Sequence, residues 1–317
     1  MNGNRFRRFC LIDAPKAAVV AFLALSLVAC RSTELTSAGL LPYASTSATD
    51  IALGEPEIRG VSTLVLDYQS GRTLYADAED GLRYPASLTK MMTLYLLFET
   101  VASGKLSLGS ELVVSENAAA QVPSKLGLKP GSTIRVADAA QALAVKSAND
   151  VATTIAENLG GSEPAFAAAM TAKARSLGMR HTRFVNASGL PDPRQVSTAR
   201  DLATLARALL ARFPAYAPMF SKTGFDYGGR HYTATNKLLG KVPGVDGLKT
   251  GYIRDSGFHL IATATRGGHR ILVVVMGGRS GRERDAYVTE LIDRYLGAAP
   301  IVAFSGAPSY APGITVE

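Results

Sequence analysis

Cysteine is nearly absent from this 317-residue chain: the only two, Cys10 and Cys30, both lie before residue 31. The rest of the sequence therefore has no thiol to form a disulfide, bind zinc or act as a nucleophile. Histidine is scarce as well. His181, His231, His259 and His269 are scattered without the i, i+4 spacing or carboxylate neighbours of a metal-binding helix, so neither a metal nor any other cofactor is expected. Basic residues form no cluster beyond the N-terminus, which gives little support to nucleic acid as a partner. The net charge of +8 suits a mild attraction to an anionic wall or lipid surface. No internal repeat is visible.

What is present begins with a leader. Arg5, Arg7, Arg8 and Lys16 precede a small and apolar run from Ala17 to Ala29 that is too short to span a bilayer. A basic segment before such a run is the pattern of an export signal, here residues 1–29. The run ends in Leu27-Val28-Ala29-Cys30, which resembles a bacterial lipobox. On that reading Cys30 becomes the lipidated first residue of a mature chain of net charge about +5. An ordinary cleaved signal ending near a cysteine is the alternative. Either way the protein is expected in the periplasm or at the cell surface. Residues 30–54, rich in Ser, Thr, Ala and Gly, read as a flexible spacer. Residues 55–298 read as the folded domain, and 299–317, with Pro308 and Pro312, as a disordered tail.

Within the domain, Gly60–Asp67 and Arg72–Tyr75 read as paired strands around a Gln69-Ser70-Gly71 turn. A helix is expected from Pro85 through Phe98, with apolar residues on several faces that imply burial. The Ala-rich middle reads as four helices, Val136–Lys146, Asp150–Asn158, Pro164–Leu177 and Thr198–Arg212. Strand character returns at Gly257–Thr265 and Arg270–Met276, joined as a hairpin through Gly267-Gly268. A final helix, Arg282–Leu296, is placed to pack on that sheet.

Chemistry enters with Ser87-Leu88-Thr89-Lys90 in the first turn of the predicted helix, where i, i+3 spacing puts hydroxyl and amine on one face. A serine needs a base to become a nucleophile. A lysine becomes that base when burial, a helix N-terminus or a second cation lowers its pKa. About one Ser-x-x-Lys is expected by chance in a chain this long, and a surface Lys after a capping Ser would also explain it. The pair gains meaning from Ser147-Ala148-Asn149, at a junction of two Ala-rich helices, and from Lys249-Thr250-Gly251, just before the Gly257 strand. Two decoys fail by position. Ser115-Glu116-Asn117 follows Ser87 too soon, and Lys222-Thr223-Gly224 precedes a strand that Gly228-Gly229 cuts short.

Ser-x-x-Lys, Ser-x-Asn and Lys-Thr-Gly in this order form the signature of penicillin-binding proteins. The chain resembles the low-molecular-mass, serine-type D-alanyl-D-alanine carboxypeptidases of that group from about Glu55 to Leu296. The likeness extends through Tyr84-Pro85-Ala86-Ser87, Leu177-Gly178-Met179, Ser188-Gly189-Leu190, Ser197-Thr198-Ala199-Arg200-Asp201 and Val245-Asp246-Gly247-Leu248. The resemblance implies an α+β fold, with an antiparallel sheet flanked by helices, an inserted all-helical lobe and a cleft between them. It implies removal of the terminal D-Ala of peptidoglycan stem peptides through an acyl-enzyme on Ser87, with β-lactam antibiotics as covalent inhibitors. Lys90 would be the base, Ser147 a proton relay and Asn149 a support for Lys90 and the substrate amide. Lys249 and Thr250 would bind the terminal carboxylate, and Gly251 would admit substrate backbone. The amides of Ser87 and Tyr252 would hold the oxyanion. Asn236 and Lys237 match a cleft-lining segment, but equally suit a turn and a solvated face.

Three other readings stay open. A D,D-endopeptidase would use the same groups, and the absence of a β-rich domain and amphipathic helix after Leu296 raises it somewhat. A class A β-lactamase would need a Glu-x-x-x-Asn loop, whereas His181–Asp192 holds Asn186 and no glutamate. An inactive wall-bound lipoprotein would be expected to lack one of the five motif groups.

Overall fold

The computed structural model describes residues 60–297; the leader, Cys30, the spacer and the tail lie outside them. The elements are β1 (Ser62–Asp67), β2 (Thr73–Asp77), a 3-10 turn at Ala86–Thr89 running into α1 (Lys90–Ala102), β3 (Glu111–Val113), α2 (Glu116–Ala120), β4 (Thr133–Arg135) and α3 (Val136–Gln141). A π turn at Ala142–Lys146 leads to α4 (Asn149–Gly160), α5 (Glu163–Ser176), α6 (Ala199–Arg212), β5 (Gly224–Tyr227), β6 (Arg230–Thr233), β7 (Val245–Ile253), β8 (Gly257–Arg266), β9 (His269–Gly278) and α7 (Gly281–Leu296).

A five-stranded antiparallel sheet in the order β2-β1-β9-β8-β7 forms the frame. Its central strand β9 is apolar without interruption from Ile271 to Met276, as a strand covered on both faces must be. The period of two sorts these residues: Leu272, Val274 and Met276 share one cluster with Leu64, Leu66 and the lobe helices. Ile271, Val273 and Val275 share another with Val65, Leu260 and Val288, Leu291 and Ile292 of α7. The expected Gly-Gly hairpin joins β8 to β9, with Arg266 opposite His269. Gly267 and Gly268 both have positive φ, 56° and 79°, as a type I′ turn requires.

The helical lobe on the other face is built around α1, whose Met91, Met92, Leu94, Leu97 and Phe98 are fully buried. A helix apolar on all sides is one surrounded by protein. The lobe is not all-helical, however. Two short two-stranded sheets, β3–β4 and the hairpin β5–β6, accompany its helices, too brief to leave a periodic signal in the sequence.

Phe98 contacts the rings of Tyr216 and Phe213 at centroid distances of 4.3 and 5.7 Å. Phe98→Ala is expected to lower stability by about 3–5 kcal/mol, read as a shift in urea midpoint with unchanged slope. Val113→Ala, at an exposed position, should change it by less than about 0.5 kcal/mol.

Candidate active site

Pro85 closes an extended segment, and the chain then turns tightly through Ala86–Thr89, so that Ser87 stands half-buried one turn before Lys90. Lys90 is wholly buried. Its Nζ lies 2.8 Å from Asn149 Oδ1, 2.5 Å from the Ser188 carbonyl and 3.1 Å from Ser87 Oγ. The first two are pure acceptors and take two N–H bonds. A neutral amine has no third N–H, so its lone pair is left for the Ser87 hydroxyl. Burial is the main force driving the Lys90 pKa far down, and the charge of Lys249 adds to it. Geometry and electrostatics thus bring an amine whose charge is disfavoured within hydrogen-bond distance of the Ser87 hydroxyl.

Ser147 and Asn149 come from the junction between the π turn and α4. Ser147 sits in the left-handed region (φ 64°, ψ 38°), an uncommon conformation for a residue with a Cβ. Its buried Oγ has no hydrogen-bond partner among the described residues. Asn149 is fixed at both ends, donating from Nδ2 to Val122 O at 2.9 Å and from its backbone N–H to Ser124 O at 2.7 Å.

Lys249-Thr250-Gly251 lies within β7 itself, the sheet edge, rather than just ahead of a strand. Lys249 is buried, with its Nζ donating to Thr250 O at 2.9 Å. Its pKa falls to about 7, chiefly from burial and secondly from Arg284. Thr250 Oγ1 bonds Thr235 Oγ1 at 2.8 Å. At Gly251 a Cβ would stand 3.3 Å from Ala86 Cβ, Pro85 O and Ser87 N. A Cβ there would be a tight contact, so the turn carrying Ser87 would have to give by a few tenths of an ångström.

These groups border one cavity of about 390 Å³, whose walls include Ser87, Ser147, Asn149, Thr250, Gly251 and Tyr252. Lys90 and Lys249 lie beneath it. Tyr252, half exposed, packs its ring on Phe258 at 4.2 Å. Asn236 is placed elsewhere: its Oδ1 accepts from Leu238 N–H and its Nδ2 stands 3.5 Å from Gly247 O. It shapes the turn into β7, and the exposed Lys237 donates to Ala234 O. The decoys have structural partners. Ser115 caps α2 and, with Asn117, binds Glu157; Lys222 reaches Gln141. Cys30 lies outside the described residues.

Three contributors were not anticipated from sequence. Arg284, in the first turn of α7, lines the cavity, donates to the His259 carbonyl and pairs with Asp285 at 2.8 Å. A cation at a helix N-terminus runs against the dipole, and that was its available signal. Asp150, fully buried, accepts from the N–H groups of Leu126, Gly127, Leu128 and Val151. It thereby ties down the segment after the Pro123-Ser124 wall. His259 is buried on β8. Gly277 N–H donates to its Nδ1 at 2.9 Å, so the proton belongs on Nε2, which faces Tyr84 O at 3.0 Å. A neutral histidine thus links two strands to the segment leading into Ser87.

A nucleophilic serine with a buried amine beside it, between an antiparallel sheet and a helical lobe, defines the serine–lysine class of acyl-transfer sites. Comparison with known proteins narrows the class. Residues 49–280 match the family model described as D-alanyl-D-alanine carboxypeptidase. The chain is 34% identical over 238 residues to DacF of Bacillus subtilis, covering 73% of this chain and 61% of that protein. It is 33% identical over 246 residues to DacA of Escherichia coli, covering 75% and 61%. Penicillin binding protein 5 from Haemophilus influenzae superposes with a TM-score of 0.72 at 32% identity, covering 75% of this chain and 71% of that one. The ampicillin-bound form of penicillin-binding protein D2 from Listeria monocytogenes does so at 0.63 and 33%, covering 73% and 95%. The chain belongs to the D-alanyl-D-alanine carboxypeptidase family. It spans about three fifths of the length of DacF and DacA.

Replacing Asp150 by Asn turns an amide N–H toward backbone donors and should cost about 3 kcal/mol in urea unfolding. His259 titrates near 4 when folded, because burial disfavours its charge, against 6.5 when free. Its unfolded form therefore binds the proton first as pH falls. Stability should drop by about 3 kcal/mol between about pH 6.5 and 4, and His259→Gln should flatten that part of the profile.

Proposed function

We propose that the protein is a serine-type D-Ala-D-Ala carboxypeptidase acting on peptidoglycan stem peptides. The observation that carries this is the Lys90 amine, with two directions taken by pure acceptors and the third facing Ser87 Oγ at 3.1 Å. Lys90 takes the hydroxyl proton as Oγ bonds to the carbonyl carbon of the penultimate D-Ala. The resulting oxyanion is received by the Ser87 and Tyr252 amides, where β7 meets the nucleophile turn. Ser147 relays the proton that Lys90 took on to the departing D-Ala amine, and the C–N bond breaks to leave the acyl-enzyme and a neutral Lys90. Water then attacks the ester, giving up its proton to Lys90, which returns it to Ser87 Oγ as the ester C–O bond breaks. Lys249, Thr250 and the nearby Arg284 make the end of the cavity suited to the terminal carboxylate.

No aspartate or glutamate lines the cavity among the described residues, and Asn186 Oδ1 is occupied by the amides of Ser188 and Gly189. Water has no carboxylate there to activate it, so a β-lactam bound to Ser87 should leave slowly. Export, and tethering through a lipid on Cys30, complete the reading. The basic segment and apolar run before Cys30 support it, and loss of palmitate labelling in Cys30→Ser would be its test.

Incubation with a pentapeptide ending in D-Ala-D-Ala should release D-Ala, and Ser87→Ala should lower the rate by at least about 1,000-fold. Release only from a cross-linked dimer would make the enzyme an endopeptidase, and rapid penicillin hydrolysis would make it a β-lactamase. The pH profile of kcat/KM should be a bell. Lys90 sets its acid side, because the base must be neutral. Lys249, near 7, sets the alkaline side, because carboxylate binding weakens as its charge is lost.

A further inference from the structure

Lys90 depends on a loop that is itself held from behind. The loop carrying Ala187 and Ser188 brings the Ser188 carbonyl to Lys90 Nζ, and its Ala187 carbonyl accepts from Thr93 Oγ1 of α1 at 2.7 Å. Asn186 Oδ1 gathers the amides of Ser188 and Gly189 at 3.2 and 2.7 Å, making the bend compact. At Gly189 (φ 82°) an added Cβ would lie 1.9 Å from Ala86 O, so the loop is seated directly on the nucleophile turn. The remaining polar group of this stretch, Ala187 N–H, donates to Glu163 Oε1 at 3.0 Å.

Glu163 is the first residue of α5, after the capping Ser162, and is half-buried. It does not border the cavity. A half-buried carboxylate is costly unless it is hydrogen-bonded or paired. Here it has a defined acceptor role toward the loop and a charge on the Lys90 side of the lobe.

Resting on the assignment of Lys90 as the base, we infer that Glu163 is a positioning residue for acylation: through the Ala187 N–H it fixes the loop whose Ser188 carbonyl holds the Lys90 amine, and it places a negative charge on the Lys90 side of the lobe. The groups facing Lys90 are Lys249 from β7, Asp150 from α4 and Glu163 from α5. Lys249 lowers its affinity for a proton, and the two carboxylates raise it. Glu163 in turn faces Glu157 of α4 and Lys90. Burial and Glu157 raise its pKa, while the Ala187 amide and Lys90 oppose them. Lys90 therefore sits between one cation and two anions. Glu163 is the anion that also carries the loop.

Two substitutions separate the two roles. Glu163→Gln keeps an oxygen to accept from Ala187 N–H but removes the charge, whereas Glu163→Ala removes both. The measurement is the second-order rate of Ser87 acylation by a fluorescent penicillin as a function of pH, with thermal unfolding of each variant as a control. For Glu163→Gln the acid limb should move down by about half a pH unit, with the plateau rate nearly kept. For Glu163→Ala the plateau should fall about tenfold as the Ser188 carbonyl loses its place. Rescue of the plateau by Gln, with the limb still displaced, is the signature of a positioning role. Two folded variants whose pH profiles superpose on the parent overturn the inference while leaving Lys90 as the base. A parent protein that penicillin does not label overturns both.

Discussion

The structure is organised around one electrostatic demand, set by a wholly buried lysine amine whose charge that burial disfavours. Placing an ammonium in a low-dielectric site costs several kcal/mol, and the cheaper outcome is a lowered pKa. A neutral amine still needs partners. Asn149 and the Ser188 carbonyl take its two N–H groups, and the lone pair is left facing Ser87. Those groups belong to the α1 entry turn, the start of α4 and the loop before α6. A single side chain therefore fixes how three separate segments meet.

The rest of the fold can be understood as support for that meeting. The sheet supplies rigidity through the strict alternation of β9, whose two faces feed two different apolar clusters. Close approach is achieved at Gly251 and Gly189, where a Cβ would press on the segment carrying Ser87. Loops around the cavity are held by buried polar groups that are fully engaged: Asp150 with four amides, Asn186 with its bend, and neutral His259 with Tyr84 and Gly277. Ser147 differs: it sits in the left-handed region, and its buried Oγ has no hydrogen-bond partner among the described residues.

Much of this was legible in the sequence because the physics is local. Helices α4, α6 and α7 carry clear helical periodicity, and the β8–β9 hairpin carries Gly-Gly turn chemistry. Ser87, Ser147, Asn149, Thr250 and Gly251 of the three motifs, and the adjoining Tyr252, do border one cavity, with Lys90 bonded to two of its walls. What escaped was nonlocal. Strand β7 was read only as a motif ahead of a strand, because its buried Lys249 breaks the apolar pattern that marks strands. The three-residue strands β3 and β4 are too short for a period to show. Arg284 looked like one more surface arginine on a helix, and Asn236 is equally at home in a turn or a cleft. For Asn236 nothing in the neighbouring residues decides between the two, and for Arg284 only its place against the helix dipole does, since burial is decided by segments far away in the chain.

The direct test of the central claim is the titration of Lys90 itself. Selective carbon-13 labelling of lysine side chains, followed by NMR, should show one Cε resonance, absent in Lys90→Arg, that titrates far below the usual ammonium range. A Lys90 resonance that keeps its charged shift up to pH 10 would mean that the amine is an ordinary cation at neutral pH, and the account of Ser87 activation would be wrong.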